Sequence, residues 1–183
     1  MAAVLARARQ GDSEAFRTLV ERHSRRAFQL AYRITGNEQD AEDVVQESFI
    51  RAYRQLNRFE ARAHFATWLH RIVANCSVDL IRSRRARYDH ASTDDLGPAE
   101  QPEAGGASPE RLAASAQIER KVAAAMAALS PLERAAFTLR HYEGRSIAEI
   151  GKTLGLGTSA TKHSVFRAVR KLRTALEPLR SES

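Results

Sequence analysis

Three sets of residues could do chemistry in this 183-residue chain. The first lies in "GTSATKHSVFRAVRKL", where Lys162, His163, Phe166, Arg167 and Arg170 recur at helical spacing. Lysine and arginine can donate to guanine N7 and O6, and a phenylalanine can lie against a thymine methyl. The second is "DAEDVVQE", Asp40 to Glu47, with four acids in eight residues. Asp40, Asp43 and Glu47 again fall at helical spacing. Such a stripe repels nucleic acid and suits an arginine-bearing protein surface; the same acids could instead pair locally with Arg51 or Arg54. The third is "TWLHRIVANC" followed by "RSRRARY". Trp68, His70, Arg71 and Asn75 can stack on or bond to unpaired bases, and Arg82, Arg84, Arg85 and Arg87 can hold a backbone. Arginines at a helix end also complement its dipole, and Trp68 is by type a core residue.

No other constellation supplies a reaction. His70 and Cys76 lack the second pair of ligands that a zinc site needs. There is no nucleophile–base pair and no phosphate-binding glycine loop. The expectation is a binding protein without metal, cofactor or catalytic residues.

The elements that must carry these residues read as helices throughout. Asp12 or Ser13 caps a first helix whose apolar positions are Phe16, Leu19, Val20, Ala27, Leu30, Ala31 and Ile34, and Gly36 ends it. Asn37 caps a second, with Ala41, Val44, Val45, Phe49, Ala52, Tyr53 and Leu56 inward. A third runs from Phe65 through Trp68, Leu69, Ile72, Val73, Cys76, Leu80 and Ile81. Further on, Ser108 with Pro109, and Ser130 with Pro131 and Glu133, each open a helix. Ser146 starts a short helix with Ile147, Ile150 and Leu154 inside; "GLG" turns the chain; Thr158 or Ser159 caps the last helix, which turns Val165, Val169 and Leu172 inward. Two short helices crossing through a small-residue turn form a helix-turn-helix, and Ala148 is small enough to allow a close approach.

One segment breaks the pattern. Residues 88–110 collect three of the five prolines, three of the nine glycines and six acids, with no Lys or Arg. Such a stretch cannot bury a core and reads as a flexible linker. It divides the chain into a domain at 1–87 and another at 111–183. The whole chain carries +7 with a pI near 10.2 and the linker carries −6, so the flanking domains together carry +13, and nucleic acid is the default partner class. A lone cysteine excludes an internal disulfide and fits a reducing compartment. No run approaches a membrane span and no export signal opens the chain.

Taken in order, "DAEDVVQESFIRAYRQLNRF", "FATWLHRIVANCSVDLIRSRR" and "LSPLERAAFTLRHYEGRSIAEIGKTLGL" resemble bacterial RNA polymerase sigma factors of the extracytoplasmic-function (ECF) type. The resemblance implies an all-α chain of two small domains, a region-2 bundle and a region-4 helix-turn-helix. It implies docking on the clamp coiled coil of the polymerase largest subunit through Asp40, Asp43, Gln46, Glu47 and Ile50. It implies −10 recognition and melting by the Phe59–Phe65 loop and the helix after it, through Phe59, Arg62, His64, Trp68, His70, Arg71, Asn75, Arg82, Arg84 and Arg85. It implies −35 recognition through Lys162, His163, Phe166, Arg167 and Arg170. Two departures stand out: Ser159-Ala160-Thr161 stands where "GTV" is usual in the family, and Ser164 stands where an arginine is common. The partners implied are core RNA polymerase, promoter DNA and an anti-sigma factor, in the cytoplasm, with no membrane insertion and a monomer when free. Two other readings remain: a helix-turn-helix regulator that never docks on polymerase, and a small nucleic-acid-processing enzyme.

Overall fold

A computed structural model describes residues 1–59, 64–90 and 109–181. Most of the expected linker, 91–108, lies outside them, as do Arg62 and the Ser108 cap. The described residues form α-helices and one 3-10 turn, with no strand among them. They divide into two compact units, Met1–Ala86 and Arg87–Ser183.

The first unit contains α1 (Ala2–Arg9), α2 (Ser13–Thr35), α3 (Glu38–Gln55), a 3-10 turn (Leu56–Arg58) and the bulk of α4 (Phe65–His90). Capping sets the starts. The Asp12 carboxylate accepts from the Ala15 amide at 3.0 Å, which selects Asp12 over Ser13. Asn37 accepts from the Asp40 amide at 2.8 Å. Each cap satisfies one of the amides that a helix start leaves without a partner. Between α2 and α3, Gly36 takes φ of 74°, a left-handed geometry that a side chain would strain. Leu19, Leu30, Ile34, Leu56, Leu69 and Val73 are fully buried. Burying each contributes roughly 1.5–3 kcal/mol. Tyr53 does not join them: it is exposed, because α2 covers only part of the apolar side of α3. The helix α1 was not foreseen, since it has no side-chain cap and only Ala8 of it is buried.

The second unit contains α5 (Pro109–Ala127), α6 (Pro131–His141), α7 (Ile147–Leu154) and α8 (Thr158–Ser181). Helix α8 packs against α5, α6 and α7. Its first helical residue is Thr158, so the cap position falls on Gly157, not on Thr158 or Ser159. Ala125, Leu129, Ala168 and Leu172 form a core, flanked by Met126, Phe137 and Leu176. Both capping boxes close. The Ser130 amide donates to Glu133 at 2.8 Å, and the Ser146 amide donates to Glu149 at 2.8 Å.

The close approach of α7 to the turn and α8 is made at Gly151, not at Ala148, which is exposed. A Cβ on Gly151 would stand 2.7 Å from the Leu156 carbonyl oxygen and 3.0 Å from Thr161 Oγ1. The first atom is backbone and cannot swing aside. Gly151→Ala is therefore expected to lower stability by about 1–3 kcal/mol, read by circular dichroism as a lower denaturant midpoint at unchanged slope. A midpoint equal to that of the parent chain would show that the turn has slack.

Candidate functional site

The acidic segment lies in α3, and the fold sorts its members. Asp40 is buried, with 5% exposure, and forms an ion pair with Arg84 of α4. Burial pushes its carboxyl up, against the pull of the Arg84 guanidinium. Asp40 is thus withdrawn from the exposed stripe that its residue type suggests. Arg84, expected on DNA, is committed to the same pair. Asp43 is exposed. Glu47 is half-buried and accepts from Arg51 Nε at 2.6 Å, and Arg51 Nη1 reaches Asp79 at 3.7 Å. The bond to Glu47 raises the Arg51 pKa. The local pairing that the sequence left open is therefore present at Glu47.

At about 100° per residue, Asp43, Gln46, Glu47 and Ile50 share one outward arc of α3. Its two edges differ. Asp43 and Glu47 face a small recess of about 310 Å³, with Arg51, Cys76 and Asp79. Gln46 and Ile50 line a groove of about 1060 Å³ between α2 and α3, walled by Phe16, Val20, Phe28 and Phe49. The sequence placed Phe16, Val20 and Phe49 in the core; Phe49 is buried there, whereas Phe16 and Val20 are only partly covered. The signal that they serve a surface was the width of the apolar face, which exceeds what one neighbouring helix can cover.

Helix α4 carries the second face. His64, Trp68, Arg71, Asn75 and Arg82 recur every three to seven residues and fall on one stripe. His64, Arg71 and Arg82 are exposed, and Trp68 and Asn75 are half-buried. His70 is half-buried and lies off this stripe, and Arg85 is exposed beside it. Phe59 is not available to a base: it is 3% exposed and packs on Trp68 with ring centres 5.0 Å apart and on Phe65 at 6.0 Å. Its ring fills a hydrophobic cluster under the start of α4. The cluster extends to α2, where His23 lies 5.2 Å from Phe65. Cys76 is buried, and burial pushes its thiol up, so it is an inert core residue.

Helix α8 carries the third face. Lys162, His163, Phe166, Arg167 and Arg170 are all exposed and lie on one side. Phe166 is 63% exposed, which removes it from the core. Lys171, one turn beyond Arg167 at the edge of this face, is tied to buried Glu133 at 2.7 Å. Burial pushes the Glu133 carboxyl up, but the Lys171 and Ser130 bonds outweigh it and the net displacement is downward. Among the described residues no group of three or more His, Cys, Asp or Glu could hold a metal ion.

Comparison with known proteins bears on all three faces. Residues 19–87 match the Sigma-70 region 2 family and residues 119–172 match the Sigma-70, region 4 family. The ECF RNA polymerase sigma factor SigW of Bacillus subtilis is 32% identical over 93% of this chain and 94% of its own length. The chain belongs to the ECF sigma factors. SigE of Mycolicibacterium smegmatis is 38% identical over 90% of the chain, which spans 63% of that protein's length. Among solved structures, CnrH in complex with the cytosolic domain of CnrY is 30% identical, with a TM-score of 0.64 and 96% of each chain covered. The sigma factor RpoE in complex with the anti-sigma factor NepR from Bartonella quintana shares the fold at 20% identity, with a TM-score of 0.65, covering 88% of this chain and 96% of that one.

In this sigma factor the region-2 match contains the α3 and α4 faces, and the region-4 match contains all but the last part of α8. The Asp40–Arg84 pair lies wholly within region 2. Arg84→Ala leaves Asp40 buried without its counter-ion and is expected to cost about 1–3 kcal/mol at neutral pH. Asp40 already has a folded-state pKa above its unfolded value, and losing the guanidinium raises it further. The native variant then takes up a proton at higher pH than the unfolded chain does. The penalty should shrink as pH falls into the ordinary carboxylate range. Unfolding midpoints of variant and parent that stay equally far apart from neutral to acidic pH would clear Asp40 of responsibility.

Proposed function

We propose that this ECF sigma factor docks on core RNA polymerase through the outward arc of α3 and holds the −10 and −35 promoter elements with α4 and α8. The observation that carries the reading is the separation of surface chemistry by helix. The α3 arc offers Asp43, Gln46, Glu47 and Ile50 beside an apolar groove. The α8 arc offers Lys162, His163, Arg167 and Arg170 around exposed Phe166. Carboxylates beside apolar surface suit a basic protein helix and reject phosphate. Cations around an aromatic ring suit the major groove, where phosphate contacts fix register and base-edge contacts specify sequence. On α4, half-buried Trp68 and Asn75 flanked by Arg71 and Arg82 suit an opened strand, with Phe59 and Phe65 supporting the tryptophan from below.

The chain supplies specificity and the polymerase supplies the reaction, so no catalytic role is assigned to any residue here. Its place of action is the bacterial cytoplasm; none of the described helices is long and apolar enough to cross a membrane. An anti-sigma protein would silence it by covering these same faces, and the α2–α3 groove provides apolar surface for such a partner. A regulator that never meets polymerase would have no use for the Gln46–Ile50 edge of that groove.

Run-off transcription with purified core polymerase on a promoter library tests the reading. Asp43→Arg places a cation where a basic partner is expected and should weaken core binding by on the order of 2 kcal/mol, with free-protein folding unchanged. Equal transcript yield from the variant and the parent would reject docking through α3. Separately, Arg167→Ala should weaken −35 binding by about 1–3 kcal/mol and relax preference at one position if Arg167 makes a bidentate base contact. An unchanged sequence preference would remove it from that role.

A further inference from the structure

Some arginines of the first unit are neutralised within the protein, while others, among them Arg22, Arg25 and Arg26 of α2 and Arg71 and Arg82 of α4, have no carboxylate within ion-pair distance among the described residues. Arg7 pairs with Asp12 at 2.6 Å, Arg17 with Glu14 at 3.1 Å and Glu21 at 3.7 Å, Arg51 with Glu47, and Arg84 with Asp40. These cations are neutralised within the protein. Arg22 and Arg26 of α2 differ. Both are exposed, and neither has a carboxylate within ion-pair distance among the described residues; Arg22 reaches only the Met1 sulfur, at 3.9 Å. They stand one turn apart on a stripe that continues through exposed Gln29 to Arg33.

Their position gives this charge a direction. His23, between them in sequence, turns inward and rests on Phe65, the first residue of α4, with ring centres 5.2 Å apart. Phe65 in turn touches Trp68 at 5.7 Å. The same two arginines act on His23 itself: burial first, and then the charges of Arg22 and Arg26, hold its pKa below the ordinary histidine value. The unpaired pair therefore borders the aromatic cluster under the start of α4, on a helix to which the sequence assigned no contact with DNA.

We propose that Arg22 and Arg26 extend the nucleic-acid surface of α4 onto α2, each binding a backbone phosphate of the promoter strand held there. This rests on the promoter reading of α4 given above. Two uncompensated cations one helical turn apart are suited to successive anions along a strand. Next to Trp68, which is suited to a base, they would hold the backbone on which that base is carried. They carry no sequence information, so their contribution is to affinity and to salt dependence. An acidic protein surface is the competing partner, and the experiment separates the two.

The test uses the assembled holoenzyme on a double-stranded promoter fragment, with affinity measured across a salt titration. Each arginine that binds a phosphate contributes about 0.7–0.9 to the slope of log affinity against log salt. Arg22→Ala with Arg26→Ala should flatten the slope by that amount per contact, with sequence preference and core affinity unchanged. Arg22→Lys with Arg26→Lys should keep most of the slope. Arg17→Ala, whose cation is already neutralised by Glu14 and Glu21, should leave it as in the parent and serves as the control. A double-alanine slope equal to the parent's overturns the proposal. So does a loss confined to holoenzyme assembly, which would assign the two arginines to an acidic face of the polymerase. If the unmodified holoenzyme shows no promoter preference at all, it is the underlying reading that fails.

Discussion

Two ion-pair links between α3 and α4 hold the functional faces of the first unit in register. Asp40 is joined to Arg84, and Glu47 to Arg51, which reaches on to Asp79. The first link is buried on its acidic side and the second is half-exposed. A buried pair is weak evidence for stability, because the cost of desolvation offsets most of the attraction. Its value here is positional. An α4 that slid by one turn, about 5.4 Å, would strand the Asp40 carboxylate in the core without a cation. The helix proposed to meet polymerase and the helix proposed to meet the −10 strand therefore behave as one block. Core residues alone would not give that discrimination: Leu69, Val73 and Cys76 are close enough in size to tolerate a shifted packing far better than a buried charge does.

The second unit uses one carboxylate for a similar end. Glu133 closes the α6 capping box and binds Lys171 at the exposed edge of α8. The pair limits rotation of α8 about its axis: Arg167, one turn before Lys171, and Arg170, next to it, are held on the exposed side. The contact of Gly151 with Leu156 and Thr161 then sets how closely α7 lies against the same helix. Rotation and approach are governed by separate contacts.

What could be read from the sequence follows from the range of each interaction. The caps at Asp12, Asn37, Ser130 and Ser146 were legible because each bond closes over three residues, and the residue types announce it. The helix-turn-helix was legible for the same reason, with the glycine turn, the apolar spacing and the cationic face all lying in one short stretch. Asp40 was misplaced because an acid reads as exposed, and its burial is decided by an arginine 44 positions later. Phe59 was misplaced because adjacency to a binding loop in sequence does not tell an aromatic that supports from one that binds. Tyr53 is the converse: it has apolar character at core spacing and is exposed because no second helix covers that angle, whereas Phe166, placed outward from the sequence, is exposed there. The close contact at Gly151 required the path of the turn, which residue sizes alone do not give.

The start of α8 narrows what can select a −35 sequence. Thr161 is fully buried and its hydroxyl donates to the Gly157 carbonyl at 3.0 Å. Ser164, where the family commonly carries an arginine, donates to the Ala160 carbonyl at 3.0 Å. Both hydroxyls are bonded within their own helix, and neither is long enough to replace an arginine at a distant phosphate. The outward chemistry of this helix is left to Lys162, His163, Arg167 and Arg170, with Phe166 among them. Lys162, Arg167 and Arg170 only donate and, with Phe166, favour guanine edges and thymine methyls, while His163 can also accept from an amino group. Under the proposed −35 role, selectivity would then come largely from where guanines and thymines fall along the groove.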